Sequence, residues 1–253
     1  MNSLAAGARG TYTGPCRTPC SRPFYRQAAS SRRRTGEKIS VVEQTRRTNA
    51  TIRLTPCRND DKGRLLLSRL PEKPEGTEVY RVRDDVAAKG SMDMLKRIGR
   101  DVRILAPLQS PPEQLQTESW FQGAPRPALI LVGNTPPPTC RDDIRSFYIM
   151  NLPPTLSDAE ADLEAVGRDG LAAEIEFFAS GKDREHRLEA IRRDHPENTR
   201  RENIARLNDV VTWMEHDGCA RVALARLLHG IDVGVCGNCG WCLGRPAAFL
   251  PNA

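Results

Sequence analysis

The chain has 253 residues, a net charge of +6 and a mean hydropathy of −0.52, and 39% of its residues are apolar. This length is enough for one large domain or two small ones, and the low apolar share indicates that part of the chain is disordered. No apolar run approaches the ~18 residues that a bilayer span requires, and the first residues lack the apolar segment of a secretory signal. We therefore expect neither a membrane-spanning nor a secreted protein, and no membrane partner.

Residues 1–48 are predicted to form a disordered basic arm. The first 50 residues hold ten Lys or Arg and two acidic residues, so the net positive charge lies in this arm. A basic arm suits nucleic acid or an anionic surface, although a solvated arm has the same composition. No acidic residue precedes Glu37, a composition found in mitochondrial transit peptides and equally in unstructured leaders. The compartment stays open between mitochondrion, nucleus and a bacterial cytoplasm or nucleoid.

Strands and helices alternate between residues 49 and 178, which predicts an α/β fold with a mainly parallel sheet. Six segments have the composition or alternation of strands: 51–54, 76–82, 102–105, 128–132, 146–150 and 173–178, the last with one polar face. A helix is predicted over 84–98, and another begins at a capping box at Ser157 and ends at Gly167. Residues 106–127 are expected to be a loop with a short helix.

The rest of the chain, residues 182–253, is predicted to be helical and to end in a cysteine cluster. A charged helix over 182–193 comes first, and a capping box at 199–202 begins the next helix. That second helix places four apolar residues on one stripe, which indicates packing against a core: Ile204, Leu207, Val211 and Met214. Trp213 lies near this stripe and is expected in the core, whereas Trp241 is a candidate for stacking on bases.

Four of the eight cysteines crowd into the last 35 residues, with the spacing Cys219-x16-Cys236-x2-Cys239-x2-Cys242. Zinc takes four ligands at tetrahedral corners and binds thiolates well, and a C-x-x-C turn directs two sulfurs at one centre. Gly237 and Gly240 each follow a cysteine, where the backbone must bend around an ion. Because cysteine fills all four positions, the spacing predicts a structural rather than a catalytic zinc site. An iron–sulfur cluster and a set of free thiols are the alternatives.

The cysteine segment resembles the zinc-binding subdomain of RecQ-family DNA helicases. In that family a C-R-R-x-x-L-L helix precedes a C-G-x-C-x-x-C knuckle. Here residues 219–224 read C-A-R-V-A-L, and residues 236–242 read C-G-N-C-G-W-C. The resemblance implies that residues 182–253 form a RecQ-type helical zinc-binding subdomain.

Segments upstream resemble the same family in the same order. Residues 151–156 (N-L-P-P-T-L) and 166–171 (V-G-R-D-G-L) are similar to the family stretch from D-L-P-K-T-L to A-G-R-D-G-L. Residues 143–145 fit the end of helicase motif V, and residues 49–54 resemble the entry to the second RecA-like lobe. The resemblance therefore implies a degenerate helicase C-terminal lobe, of the second RecA-like type, over residues 49–181.

The resemblance implies ATP-dependent 3′-to-5′ unwinding of DNA, with single-stranded or junction DNA as the partner and Arg168 as a candidate residual arginine finger. A surface arginine at a helix end is the alternative for Arg168. The 253 residues contain no Gly-x-x-x-x-Gly-Lys-Ser/Thr phosphate loop and no Asp-Glu-x-His box, and prolines at 136–138 replace the glycine-rich core of motif V. ATP and magnesium are therefore expected only if a first RecA-like lobe is supplied, and the chain alone is expected to be inactive.

Five arginines near the last helices are candidates for contact with DNA phosphates: Arg192, Arg193, Arg200, Arg201 and Arg221. A solvated helix face with Glu185, Glu189 and Glu197 as partners is the alternative. Three functions stay open: an incomplete RecQ-type helicase, a non-catalytic zinc-stabilised module that binds DNA or protein, and an enzyme completed by a separate helicase lobe.

Overall fold

A sheet of six strands forms the centre of the computed structural model, which describes residues 49–245. The strands are β1 (Ala50–Pro56), β2 (Thr77–Val82), β3 (Val102–Leu105), β4 (Ala128–Val132), β5 (Ile144–Ile149) and β6 (Ala173–Ala179). All pairings are parallel, in the order β1-β6-β5-β2-β4-β3. The predicted α/β fold with a parallel sheet is confirmed, whereas the basic arm predicted over 1–48 lies outside the described residues.

Seven α-helices connect or follow these strands between residues 49 and 245. They are α1 (Lys62–Arg69), α2 (Asp85–Arg97), α3 (Pro111–Gly123), α4 (Leu156–Ala165), α5 (Gly181–Asp194), α6 (Glu197–Met214) and α7 (Ala220–His229). A short 3-10 turn, Asn59–Asp61, leads into α1. None of these helices combines the length and the hydropathy that a bilayer crossing needs.

Both faces of the sheet are buried because helices pack on each of them. Leu131 and Phe177 belong to the core on the first face, together with residues of α3 to α7. Tyr80 and Ile130 belong to the core on the second face, where α1 and α2 contribute. Successive residues of a strand point to opposite faces, so a continuous apolar run such as β4 supplies both cores.

The last three helices pack onto the sheet. Trp213 of α6 is fully buried, its ring lies edge-on to that of Phe177 with centroids 5.1 Å apart, and its indole N–H donates to the carbonyl oxygen of Ala220 at 2.9 Å. Leu207 and Met214 are also fully buried, which confirms the predicted apolar stripe. Residues on both sides of the predicted boundary at 181 therefore contribute to one hydrophobic core.

Three local predictions were wrong. Helix α4 begins after Thr155 rather than Ser157, since the Thr155 hydroxyl accepts from the backbone N–H of Asp158 at 3.2 Å. Helix α6 begins at Glu197, after Pro196, and not at the capping box predicted over 199–202. The polar face predicted for β6 is covered, and Glu176 there is 0% exposed. In addition, residues 106–127 hold the 13-residue helix α3.

Candidate metal centre and the loops around Arg168

The sulfur atoms of Cys219, Cys236, Cys239 and Cys242 all lie within 4.8 Å of one another. The Sγ atoms of Cys236 and Cys242 are 3.9 Å apart. In a tetrahedral zinc site with Zn–S bonds of about 2.3 Å, neighbouring sulfurs are separated by about 3.8 Å. Cys219 and Cys239 are buried, and the other two cysteines are half-buried. The four cysteines can therefore hold one metal ion such as zinc without large movements of the chain.

A helix end and a glycine-rich knuckle bring the sulfurs together. Cys219 is the N-cap residue of α7, so its side chain sits beside the unpaired amides of the first helical turn. Gly237 has a φ of 71°, a left-handed conformation that favours glycine. A Cβ atom on Gly240 would lie 2.7 Å from the carbonyl oxygen of Arg245. The knuckle, which we define as residues 236–242, thus needs both glycines that the sequence pattern singled out.

Backbone amides surround the sulfurs and affect their charge. The N–H of Cys236 donates to the Cys219 sulfur at 3.3 Å. Burial raises the pKa of the Cys219 thiol, but amides of Cys236, Val222 and Arg221 lower it more, to about 7. Burial raises the pKa of both Cys236 and Cys239. The fold itself therefore favours the thiolate form of Cys219. A bound cation would supply the positive charge that offsets the cost of burying the other thiolates.

The knuckle adds to the open edge of the sheet along β1. Ile52 and Cys239 form a parallel bridge, in which the N–H of Ile52 donates to the Asn238 carbonyl at 3.3 Å. The N–H of Gly240 donates to the Ile52 carbonyl at 2.8 Å, and the Thr51 hydroxyl bonds the Asn238 side chain at 2.9 Å. Nothing in the sequence pattern pointed to Thr51 or Asn238, because the two residues are 187 positions apart.

Arg221 lies inside the protein, not on its surface. It is 7% exposed, and its Nη2 group donates to the carbonyl oxygen of Ala50 at 3.0 Å. Burial lowers the pKa of its guanidinium, and the nearby sulfurs of Cys236, Cys219 and Cys239 oppose that effect. The prediction that Arg221 contacts DNA phosphates is therefore corrected: an arginine buried against β1 does not face a nucleic-acid backbone.

The other four candidate arginines lie around the turn between α5 and α6. Arg193 pairs with Asp194 at 2.7 Å, and Arg200 donates to the carbonyl oxygen of His195 at 2.9 Å. Arg192 and Arg201 are exposed, and no ion pair among residues 49–245 involves either of them. The acidic partners that the alternative interpretation assigned to this face, Glu185, Glu189 and Glu197, likewise form no ion pair in this part of the chain.

Arg168, in the segment 166–171, lies beside the segment 136–145, where the family has motif V. Its Nη1 group donates to the carbonyl oxygen of Thr139 at 3.3 Å, and its Nε lies 3.3 Å from a carboxylate oxygen of Asp142. The backbone N–H of Asp169 donates to the carbonyl of Asp142 at 3.2 Å. Gly167, which precedes Arg168, has a φ of 60°, so the turn that presents the arginine favours glycine. About a third of the Arg168 side chain is exposed.

A buried ion pair that the sequence pattern did not reveal holds the proline loop, residues 133–139. Arg81 donates to both carboxylate oxygens of Asp162, at 3.0 and 2.6 Å, and to the carbonyl oxygens of Gly133 and Thr135 at 2.8 and 2.7 Å. Burial raises the pKa of Asp162 to about 6, although the Arg81 guanidinium opposes this effect. Arg81 thus joins β2, α4 and the loop that leads to Thr139.

Comparison with known proteins gives no match to a protein family and none to a curated protein sequence.

Solved structures of DEAD-box proteins are similar in part. The C-terminal domain of Dbp5 has 16% identity and a TM-score of 0.47, covering 52% of this chain and 76% of that domain. Dbp5 of S. cerevisiae bound to RNA and ADP BeF3 has 16% identity and a TM-score of 0.44, covering 63% of this chain and 46% of that protein. A DEAD box protein of Methanococcus jannaschii has 14% identity and a TM-score of 0.44, covering 53% of this chain and 36% of that protein. Likenesses at this level assign neither a family nor a function.

Proposed function

We propose that this chain is the C-terminal region of a RecQ-type DNA helicase, a second RecA-like lobe stabilised by a zinc module. The observation that carries the proposal is the bridge between Ile52 and Cys239. It makes the cysteine cluster and the parallel sheet one unit, with the two parts in the order that the resemblance implies. The contact of Arg168 with Thr139 and Asp142 adds support, because it joins the segment 166–171 to the segment 136–145, where the family has motif V.

Zinc in this protein would be structural. Cysteine provides all four ligands, so no position is left for water or substrate. The ion would hold the N-terminus of α7 and the knuckle together against β1. Iron in an iron–sulfur cluster would take the same four ligands, and metal analysis of the purified chain separates the two.

ATP hydrolysis would require parts that these 253 residues do not contain. A phosphate loop and a magnesium-binding carboxylate come from a first lobe in helicases of this kind, and Arg168 would stabilise charge on the γ-phosphate from the second lobe. We therefore assign ATP and magnesium to this chain only in combination with a first RecA-like lobe. That lobe would come from another polypeptide or from residues outside these 253.

DNA, single-stranded or at a junction, is the proposed partner. The turn between α5 and α6 presents Arg192, Arg193, Arg200 and Arg201, of which the first two and the last are exposed. Exposed arginines neutralise phosphates and release counterions, so binding would weaken as salt rises. Arg221 is left out of this surface because it is buried.

The proposal is tested by mixing the purified chain with a separately expressed first lobe of a RecQ helicase and measuring ATP hydrolysis with single-stranded DNA. We expect no turnover by either polypeptide alone and turnover by the mixture, reduced about a hundredfold or more by Arg168→Ala. Arg206→Ala, an exposed arginine of α6, serves as the matched control. Turnover by the chain alone would refute the proposal that ATP hydrolysis needs a first lobe. Equal turnover by mixtures with and without Arg168→Ala would refute the proposed role of Arg168.

A second candidate is a non-catalytic zinc-stabilised module that binds DNA or protein. The observation that favours it is the ion pair of Arg168 with Asp142, which occupies the guanidinium that a γ-phosphate would need. Salt-dependent DNA binding without turnover in the two-lobe mixture supports this candidate. In that case Asp142→Asn, which frees Arg168, should also fail to produce turnover.

A further inference from the structure

Arg221 is a buried cation with few partners. It is 7% exposed, and its Nη2 group donates a hydrogen bond to the carbonyl oxygen of Ala50. The Nε–H group is buried without a hydrogen-bond partner in this part of the chain. A guanidinium stays charged in proteins, and a buried charge needs a counter-charge or a full set of hydrogen bonds. A neutral carbonyl oxygen at one corner does not meet that need.

The sulfur cluster lies beside this guanidinium. Arg221 interacts electrostatically with Cys236, Cys219 and Cys239, and its side chain is hydrogen-bonded to that of Cys236. Four thiolates around one divalent ion carry a net charge of about −2, which a neighbouring guanidinium reduces to about −1. Thiolate sulfur accepts hydrogen bonds, so loss of the Cys236 proton on metal binding would strengthen its contact with this guanidinium.

The position of Arg221 connects this charge to the sheet. Arg221 lies in the first turn of α7, two residues after Cys219, and reaches across to Ala50. Ala50 is the first residue of β1, the strand against which the knuckle packs. One side chain thus contacts the sulfur cluster on one side and the start of the edge strand on the other.

We propose that Arg221 is the counter-charge of the metal-bound thiolates and the residue through which metal binding positions the start of β1. This inference rests on the proposed zinc site. The bound ion gathers the negative charge of four sulfurs next to the guanidinium, and the guanidinium in turn keeps its hydrogen bond to Ala50. Arg221 is a positioning residue: it neither binds the ion nor touches a substrate.

The experiment measures zinc affinity of the full chain by competition with a chromophoric chelator, at one pH and one salt concentration. Arg221→Gln removes the charge but keeps an N–H donor for Ala50, and Arg221→Lys keeps the charge but loses the planar fork. Arg226→Gln removes an exposed arginine of the same helix and is the matched control. Groups beside a metal site typically change its affinity tenfold to a hundredfold. We expect a loss in that range for Arg221→Gln, a smaller loss for Arg221→Lys and none for Arg226→Gln.

Two readouts separate this proposal from a purely packing role and from failure of the zinc site. Thermal unfolding with and without chelator should show that Arg221→Gln destabilises the metal-loaded chain more than the metal-free chain. Equal destabilisation of both forms, or unchanged zinc affinity, overturns the role of Arg221. If Arg221→Gln does not fold, Arg221→Lys provides the test. A loss of zinc affinity in Arg221→Lys as large as the loss caused by substituting a cysteine ligand would also overturn the role of Arg221. A wild-type chain that binds no zinc instead refutes the proposed zinc site.

Discussion

The main chain of Cys239 lies beside that of Ile52 in a parallel bridge, so a predicted metal ligand also belongs to the edge of the sheet. An open sheet edge offers unpaired N–H and C=O groups to other chains, and proteins usually cover it. Here the knuckle bonds both main-chain groups of Ile52, and Arg221 bonds the carbonyl of Ala50. Metal binding and integrity of the sheet edge should therefore depend on each other.

Substitution of a buried ligand should remove the metal and destabilise the fold. We expect Cys239→Ser to lower the zinc content of the purified chain from about one ion to near zero, because a structural site needs all four ligands. The free energy of unfolding should fall by several kcal/mol, which lowers the thermal midpoint by roughly 10 °C. Metal analysis by mass spectrometry and a thermal melt check both. Cys57→Ser changes a buried cysteine outside the cluster and should leave the zinc content unchanged; zinc retained by Cys239→Ser would contradict the assignment.

Chelation of the metal should loosen the β1 edge before the rest of the sheet. The N–H of Ile52 donates to the knuckle, so its hydrogen exchange should accelerate when a chelator removes the ion. The N–H of Gly240 should respond in the same way. Amides of β2, such as Val79 in the middle of the sheet, serve as the internal control and should stay protected. If hydrogen exchange accelerated equally in β1 and β2 on chelation, the metal would stabilise the whole fold rather than this edge.

Much of the sheet could be predicted from the sequence because each strand carries a local signal. The apolar run of β4 and the alternation in β2 gave both strands within one residue of their observed limits. Helix α1 was not predicted, and α3 was expected as a short helix in a loop. The face of Glu176 was misjudged because burial depends on the Thr55 hydroxyl and on Arg69, which lie far away in sequence.

The candidate metal site likewise has features that the sequence predicts and features that depend on distant residues. The spacing of the cysteines and the glycines between them predicted that the four sulfurs lie close together. The observed sulfurs, all within 4.8 Å of one another, agree with this prediction. The docking of the knuckle on β1 could not be predicted, since it depends on main-chain hydrogen bonds between distant segments that any residue type can make. Arg221 was misplaced on the surface for a related reason. Most arginines are solvated, and the sequence does not reveal a distant acceptor such as the Ala50 carbonyl.

Removing the carboxylate of Asp162 should leave the Arg81 guanidinium buried without its counter-charge. Both side chains are at most 5% exposed, and loss of one partner of such a pair costs about 3 kcal/mol or more. We expect Asp162→Asn to lower the free energy of unfolding by about this amount in urea titrations. Glu202→Gln, which breaks an exposed ion pair on α6, should change it by less than ~0.5 kcal/mol. Equal effects of the two substitutions would show that the Arg81–Asp162 pair contributes no more than a surface pair.

Acid should weaken the contact of Asp143 with Arg141. Hydrogen bonds from Arg141 hold the pKa of Asp143 below its ordinary value, and the Thr77 hydroxyl adds to this effect. Because the pKa is lower in the folded than in the unfolded chain, the stabilisation is present above about pH 4 and is lost as the pH falls through the folded value. Asp143→Asn should therefore be less stable than the wild type at pH 7, and the difference should shrink below pH 4. Asp209→Asn, on an exposed face of α6, is the control. A difference that is the same at pH 7 and pH 3 would contradict this linkage.

Loss of two exposed arginines at the turn between α5 and α6 should weaken DNA binding in a salt-dependent way. We expect the double variant Arg192→Gln and Arg201→Gln to bind a labelled single-stranded oligonucleotide more weakly in fluorescence anisotropy. Each lost phosphate contact should reduce the slope of log K against log salt by about 0.7, so two should reduce it by about 1.4. The double variant Arg206→Gln and Arg226→Gln removes the same charge from arginines that are paired with Glu202 and Asp232. If both double variants lower the affinity and the slope equally, net charge rather than this turn determines binding, and the proposed DNA surface is wrong.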